Sequence, residues 1–348
     1  MRIIVDVMSG DNAPHEILRG VFAADKEFNA SYILVGDQRI IEKTARECEH
    51  DIRRFEIVHT EEVITMEDDP ICVVRAKKES SMSTGLRLLS EGKGDVFVSA
   101  GNSGALFTGA SLIVRKIRGV QRAAIASVLP FDPPVMLLDS GANLVVTEEN
   151  LLQFAVMGST FMKNYYGVRS PRVGLLNNGT EECKGTELRV SAYQVLKDCK
   201  KINFIGNVEA NQLQFNVCDV VVTDGFCGNI LLKSVEGMGK MVMGELKKLF
   251  KASPVSMMSA VMVKSKLQEI KRKYDPTEYG GAPILGIAKP VIKAHGSSNA
   301  KAFKNAIRQA IACVDTGIIY DIAKDAEFFR AERQAKNEAR HSEENKQD

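Results

Sequence analysis

The stretch Asp95-Val96-Phe97-Val98-Ser99-Ala100-Gly101-Asn102-Ser103-Gly104-Ala105 decides the fold. Its first half is a β-branched and aromatic run without polar alternation, as in a strand buried on both faces. Its second half is glycine, asparagine and serine, a turn that feeds a helix. The same plan recurs outward along the chain. Residues 3–7 read as a buried strand and Ser9-Gly10-Asp11-Asn12-Ala13-Pro14 as turn and cap, with proline tolerated in a first helical turn. The helix after it carries Ile17, Val21 and Phe22 on one side. Residues 32–37 and 172–176 repeat the pattern, and further strands are expected at 135–139, 202–205 and 220–223. Strands alternating with helices make an α/β fold, its sheet largely parallel and covered by helices on both faces. No internal repeat is visible. Residues 1–330 read as a single α/β domain, and the polar tail 331–348 is expected to be disordered.

Composition agrees. Of 348 residues 45% are hydrophobic and 26% charged, ample for a sizeable core and unlike a disordered or fibrous chain. With 46 basic and 44 acidic residues the net charge is +2, which gives no global attraction to nucleic acid. No apolar run approaches the roughly 18–20 residues of a membrane span. Met1-Arg2-Ile3-Ile4-Val5-Asp6 lacks the layout of a signal peptide, so a cytoplasmic location is expected. The seven cysteines (48, 72, 183, 199, 218, 227 and 313) are dispersed without a Cys-x-x-Cys pair, which points to reduced thiols. The histidines at 15, 50, 59, 295 and 341 form no ligand pair, and no metal is expected.

In open α/β sheets ligands collect beyond the carboxyl ends of strands, where loops feed helix N-termini. Four such loops are polar and glycine-rich: Asp6-Val7-Met8-Ser9-Gly10-Asp11, Ser99 to Ala105, Asp139-Ser140-Gly141-Ala142-Asn143, and Thr223-Asp224-Gly225-Phe226-Cys227-Gly228-Asn229. Glycine lets the backbone approach an anion, and free N–H groups at a helix start supply donors. None of the loops carries the Walker pattern or the dinucleotide fingerprint, so ATP and NAD are disfavoured and a small anion such as phosphate suits them better. Two more segments draw notice. Asn177-Asn178-Gly179-Thr180-Glu181-Glu182-Cys183-Lys184-Gly185-Thr186-Glu187 places Lys184 in a loop or at a helix start, as an anion contact or a solvated surface charge. Tyr279-Gly280-Gly281-Ala282-Pro283-Ile284-Leu285-Gly286 precedes Val291-Ile292-Lys293-Ala294-His295-Gly296-Ser297-Ser298-Asn299. There His295 reads equally as an anion contact or a hydrogen-bonded turn residue.

Together these stretches resemble the bacterial phosphate:acyl-acyl-carrier-protein acyltransferases of phospholipid synthesis, the PlsX family. The matching segments are 5–11, 99–105, 138–143, 172–185, 222–226 with 228–229, 278–286 and 292–304, in the family's order over residues 1–312. Ser9 stands where the family usually has glycine, and Asn177-Asn178-Gly179-Thr180 replaces a more apolar run. The resemblance implies a Rossmann-like three-layer α/β/α sandwich, related to isopropylmalate dehydrogenases and phosphotransacetylases, and a homodimer. It also implies a reaction. Inorganic phosphate, a substrate and not a cofactor, attacks the thioester of a long-chain acyl group on acyl carrier protein, giving acyl phosphate and free thiol. A membrane glycerol-3-phosphate acyltransferase would take the product.

Phosphate is already an anionic nucleophile, and a thiol of pKa near ~8.5 leaves readily, so no Ser-His-Asp or Cys-His set is needed. Positioning and charge stabilisation remain. For this reaction Lys184 is expected to hold the phosphate dianion and Asn229 to face the developing oxyanion. The backbone of Gly101, Asn102, Ser103 and Gly104 is the expected phosphate cradle, with Gly10, Gly225, His295 and Ser297 lining the site. Asp6, Asp11 and Asp224 repel phosphate while ionised and read as caps or orienters. Cys183 and Cys227 read as core thiols, not acyl carriers.

Residues 241–274 carry eight basic groups against Glu245 and Glu269, a local charge of +6. Paired helices are expected here to pack in a dimer with Met243, Leu246 and Leu249 buried. The tip, with Val255, Met257, Met258, Val261 and Met262, is expected to dip into an anionic membrane surface. The charge also suits acidic acyl carrier protein. The rival readings are a dehydrogenase on the related fold, a phosphotransacetylase-like enzyme using acyl-coenzyme A, and a non-catalytic scaffold recruited to membranes.

Overall fold

The computed structural model describes residues 1–327 and 329, apart from 275 and 279. Tyr279, the expected polar tail and the side chains of Lys271, Arg272 and Lys273 lie outside the described residues. The strands are β1 (Arg2–Asp6), β2 (Ser31–Gly36), β3 (Glu56–His59), β4 (Val96–Ser99), β5 (Ala124–Ile125), β6 (Ser127–Leu129), β7 (Val135–Leu138), β8 (Arg172–Leu176), β9 (Asn203–Val208), β10 (Val220–Val222), β11 (Ala282–Leu285) and β12 (Val291–Lys293). Seven form one sheet in the order β3-β2-β1-β4-β12-β11-β5, and five form a second in the order β6-β7-β10-β8-β9. Pairing is mostly parallel, while β11 runs antiparallel to β12 and β5, and β6 antiparallel to β7. Every strand expected from the sequence is present with slightly shifted ends. The chain passes from one sheet to the other between β5 and β6, at the fully buried Ala126.

The helices are α1 (His15–Glu27), α2 (Gln38–Glu47), α3 (Ser81–Ser90), α4 (Ser103–Gly109), α5 (Glu148–Tyr166), α6 (Glu187–Asp198), α7 (Gly225–Lys251), α8 (Pro254–Met262), α9 (Lys264–Lys273) and α10 (Ala300–Asp315). They sandwich the sheets because successive strand residues point to opposite faces. On β1, Ile3 and Val5 join Ile17 and Val21 of α1 and Phe303 of α10 in one core. Ile4, between them, joins Met82 and Leu86 of α3 and Leu106 of α4 in another. On β7, Met136 and Leu138 share a core with Phe154 and Phe161 of α5, while Val135 and Leu137 meet Leu231 of α7.

Helix α7 departs from this pattern. It is 27 residues long, and its buried residues, Gly225, Gly228 and Leu231, all lie in the first two turns. Farther along, an added Cβ at Gly237, Gly239 or Gly244 would meet no atom within 4 Å. Within the single chain the expected burial of Met243, Leu246 and Leu249 is not seen: the first two are half-buried and Leu249 is 61% exposed. Helix α8 buries nothing, leaving Val255, Met257, Met258, Val261 and Met262 exposed. Among the described residues no helix is long and apolar enough to cross a membrane.

Candidate active site

Three adjacent parallel strands of each sheet end at one edge. In the larger sheet β1, β4 and β12 lead into loops 7–11, 100–102 and 294–299. In the smaller one β7, β10 and β8 lead into loops 139–146, 223–224 and 177–186. The segments singled out in the sequence therefore converge on two strand edges.

At the first edge Asp6 is fully buried. Its carboxylate accepts from Ser99 Oγ at 2.7 Å and from the Met8 N–H at 3.3 Å. Burial pushes this carboxyl above its ordinary range, against the opposing pull of the Ser81 and Ser99 hydroxyls. Asp6 is thus an orienter of loops. One member of the expected cradle is already bonded within the protein. The Gly101 N–H is already given to Ser99 Oγ at 3.1 Å. Asn102 caps α4, its Oδ1 accepting from the Ala105 N–H at 3.1 Å. Its Nδ2 donates to the carbonyls of Thr65, Met66 and Asp68 at 3.1–3.2 Å. The Asn102 side chain is therefore consumed by the protein, while of the expected backbone cradle the Gly101 N–H is spent and the N–H groups of Asn102, Ser103 and Gly104 have no hydrogen bond among the described residues.

Gly10 sits at φ +119°, and an added Cβ would come within 3.1 Å of Ala100 Cβ and 3.2 Å of the Gly296 carbonyl. Only glycine lets the two loops touch there. The Asp11 N–H donates to that same carbonyl at 2.9 Å, lacing loop 7–11 to loop 294–299. A Cβ added at Gly101 would lie 2.8 Å from Ser9 Cβ, so the extra serine side chain is accommodated by the bare backbone opposite. His295 Nδ1 accepts from the Ser297 N–H at 3.2 Å and lies 2.9 Å from Ser297 Oγ, the turn role that the sequence left open. Burial, with Lys293 and Lys233 nearby, lowers the His295 pKa.

At the second edge the buried Asp139 accepts from the N–H groups of Ile125, Gly141, Ala142 and Asn143 and from Asn143 Nδ2, at 2.6–3.2 Å. Burial still raises its carboxyl above the ordinary range. The start of α7 packs against this loop: a Cβ at Gly225 would lie 2.8 Å from Asn143 N, and one at Gly228 would overlap the Asp139 carbonyl at 1.9 Å. Asp224 caps α7 by accepting from the Cys227 N–H at 2.8 Å. It is also bound by Arg189 Nη2 at 2.5 Å, and Arg189 reaches Thr223 Oγ1 at 3.0 Å. Burial pushes the Asp224 carboxyl up, but the Cys227 N–H and the Arg189 guanidinium hold it below its ordinary range. The cation that Asp224 orients is Arg189, which the sequence reading missed. Nothing in the helical run around it marks one arginine as buried.

Asn229 lies one turn into α7, exposed, with Oδ1 3.7 Å from the position of a Cβ on Gly141. Its amide makes no hydrogen bond among the described residues. Lys184 lies in the loop before α6, not on the helix. Its N–H donates to the Glu181 carbonyl at 3.1 Å and its own carbonyl accepts from Asn177 Nδ2 at 3.0 Å. Its ammonium is exposed and in no ion pair among the described residues. Cys183 is exposed, not a core thiol. Cys227 is half-buried, and burial together with Asp224 raises its pKa, which keeps the thiol protonated and a poor nucleophile. One more lysine was not foreseen: Lys293, at the carboxyl end of β12 in register with Ser99.

The chain matches, over residues 1–321, the family model described as Fatty acid synthesis protein. It is 43% identical over 330 residues to the phosphate acyltransferase of Thermoanaerobacterium thermosaccharolyticum, covering 94% of this chain and 98% of the relative. The phosphate acyltransferase of Moorella thermoacetica is 45% identical over 320 residues, covering 92% and 94%. The chain belongs to the phosphate acyltransferase family. It is accordingly a transferase of the acyltransferase class. A phosphotransacetylase from Streptococcus pyogenes superposes with TM-score 0.62 at 14% identity, covering 90% of this chain and 94% of that one. A putative 4-hydroxythreonine-4-phosphate dehydrogenase from Salmonella typhimurium superposes at 0.52 and 12% identity, covering 90% and 98%. These likenesses are of fold alone, and they place the sandwich among Rossmann-like architectures.

Proposed function

We propose that the protein transfers a long-chain acyl group from acyl carrier protein to inorganic phosphate, without a cofactor, for phospholipid synthesis. The supporting observation is the pair of donors left unspent at the smaller sheet's edge. Asn229, in the first turns of the helix that follows β10, and Lys184, in the loop after β8, stand beyond the ends of neighbouring strands. The carboxylates of Asp139 and Asp224 at the same edge are occupied by protein donors.

In the proposed reaction the Lys184 ammonium holds the phosphate dianion, helped by the N–H groups at the start of α4. A phosphate oxygen attacks the thioester carbon while the Asn229 amide N–H faces the developing oxyanion. The C–S bond then breaks, and its electron pair leaves on sulfur as the carrier's thiolate. Holding both reactants in register supplies several kcal/mol, with ~7–11 kcal/mol as the ceiling. One oxyanion donor adds ~2.7–4 kcal/mol. No acyl-enzyme forms.

The far half of α7 with α8 serves a homodimer contact and, at its methionine tip, a peripheral contact with the inner face of the membrane. The basic groups around the tip attract anionic lipid at roughly 1 kcal/mol each, and acidic acyl carrier protein as well. The acyl phosphate passes to a membrane glycerol-3-phosphate acyltransferase.

The test is thiol release from acyl carrier protein thioester, with and without phosphate, beside the same assay on acyl-coenzyme A. Phosphate-dependent release from the carrier thioester is expected. Preference for acyl-coenzyme A would overturn the carrier assignment, and release that ignores phosphate would overturn the reaction.

A further inference from the structure

We infer that Lys293 is a second phosphate-binding cation, the main element of an anion subsite on the edge of the larger sheet. The inference rests on the reaction proposed above and adds a binding residue to it. Lys293 ends β12 beside Ser99 of β4, and β4 in turn lies beside β1, which ends in Asp6. Its ammonium therefore belongs to the edge that presents the Ser103 and Gly104 N–H groups.

Of the three donors an ammonium carries, one is given to the Ala294 carbonyl at 3.0 Å. No carboxylate forms an ion pair with Lys293 among the described residues. The charged groups facing it are Asp11 from the loop after β1, Lys233 and Glu236 from α7, and His295 from the loop that Lys293 enters. Glu236 is already held by Lys233 at 2.8 Å. The Lys233–Glu236 pair thus cancels, His295 is held toward its neutral form and Asp11 is exposed, so the charge left unpaired among these groups is the Lys293 ammonium. Burial, with Lys233 adding, pushes the Lys293 pKa down to about 8. A desolvated cation without a bound partner is costly, and a dianion seated between Lys293 and the α4 N–H groups would remove that cost.

The experiment uses the full chain and inorganic phosphate. Lys293→Met should raise the KM for phosphate about tenfold or more, the scale of one charge-assisted contact, with the KM for acyl thioester little changed. Lys293→Arg should recover most of that loss and extend phosphate use to higher pH. Thermal stabilisation by phosphate, read without any acyl substrate, should be present in the wild type at pH 7, weaken above about pH 8 as the ammonium deprotonates, and be lost in Lys293→Met. If Lys293→Met, folded by circular dichroism, keeps wild-type phosphate stabilisation and KM, the inference is overturned while the reaction stands. If Lys293→Met does not fold, Lys293→Arg decides, and an unmoved alkaline limb overturns the inference. If phosphate stabilises the wild type through Lys293 but no phosphate-dependent thiol release occurs, the subsite stands and the reaction reading fails.

Discussion

Asn102 and Asn229 each follow a buried strand and a glycine-bearing turn, yet the two sheets use them differently. At the larger sheet's edge, Asn102 caps α4 and ties down three carbonyls of the chain at 65–68. At the smaller sheet's edge, capping of α7 falls to Asp224, which Arg189 holds in place. Asn229, a turn later, is left without a hydrogen bond to its amide among the described residues. The basic residues divide in a similar way. Lys184 is exposed on a loop, whereas Lys293 is half-buried with Asp11, Lys233 and Glu236 nearby. A polar residue in a ligand loop is therefore informative only after its existing hydrogen bonds have been counted.

The largest effect is expected where the two edges are held rigid. Arg189→Ala would leave the Asp224 carboxylate without its cation in a partly buried site, at a cost of ~3–5 kcal/mol in stability, read by urea unfolding. The sign of its pH dependence follows from the lowered Asp224 pKa. The contribution is complete above the unfolded value of 3.8 and disappears as pH falls through the lower folded value. Arg189→Ala should therefore narrow the gap to the wild type in acid. A variant as stable as the wild type at pH 7 would remove Arg189 from the account.

The asparagine contrast is tested next. Asn229→Ala should cut turnover by about 10²–10³, or ~2.7–4 kcal/mol, with unfolding unchanged, and Lys184→Ala by about tenfold or more. Asn102→Ala should do the opposite. It leaves carbonyls unmet at ~1–3 kcal/mol and loses a cap of ~1 kcal/mol, so its melting temperature falls first. An Asn102→Ala protein of normal stability and no turnover would reverse the two roles. At the exposed arm, the double variant Met257→Asp/Met258→Asp should weaken binding to vesicles of anionic lipid by several fold while leaving turnover on soluble carrier thioester in place, and equal vesicle binding would remove the lipid contact. The smallest effect is expected at the thiols: Cys183→Ala and Cys227→Ala should keep most activity, in contrast to the residues next to them.

How much of this was legible in the sequence follows from how each feature is encoded. Residues 3–7, 95–99 and 172–176 are short, mainly apolar runs without polar alternation, closed by turn chemistry, and such runs announce buried parallel strands. The division into two sheets depends on β5 and β6, two and three residues long, too short to show a period. Helix α7 runs straight through Gly237, Gly239 and Gly244, which at about 1 kcal/mol each argue against one long helix. The loops of the candidate site were visible as glycine and asparagine clusters. Their internal accounting was not, because it depends on contacts between residues distant in sequence: the Asn102 amide reaches back to 65–68, and Arg189 reaches forward to 223–224. Lys293 left one faint signal, a charge directly after the apolar Val291-Ile292 at a strand end.

The account holds that the oxyanion attacks directly and that the acyl group never resides on the protein. Intact-mass spectrometry of the enzyme, incubated with long-chain acyl thioester in phosphate-free buffer, tests this without assuming which residue matters. An unmodified mass, followed by acyl phosphate and free thiol once phosphate is added, is the predicted result. A mass increase equal to one acyl chain, discharged on adding phosphate, would contradict it.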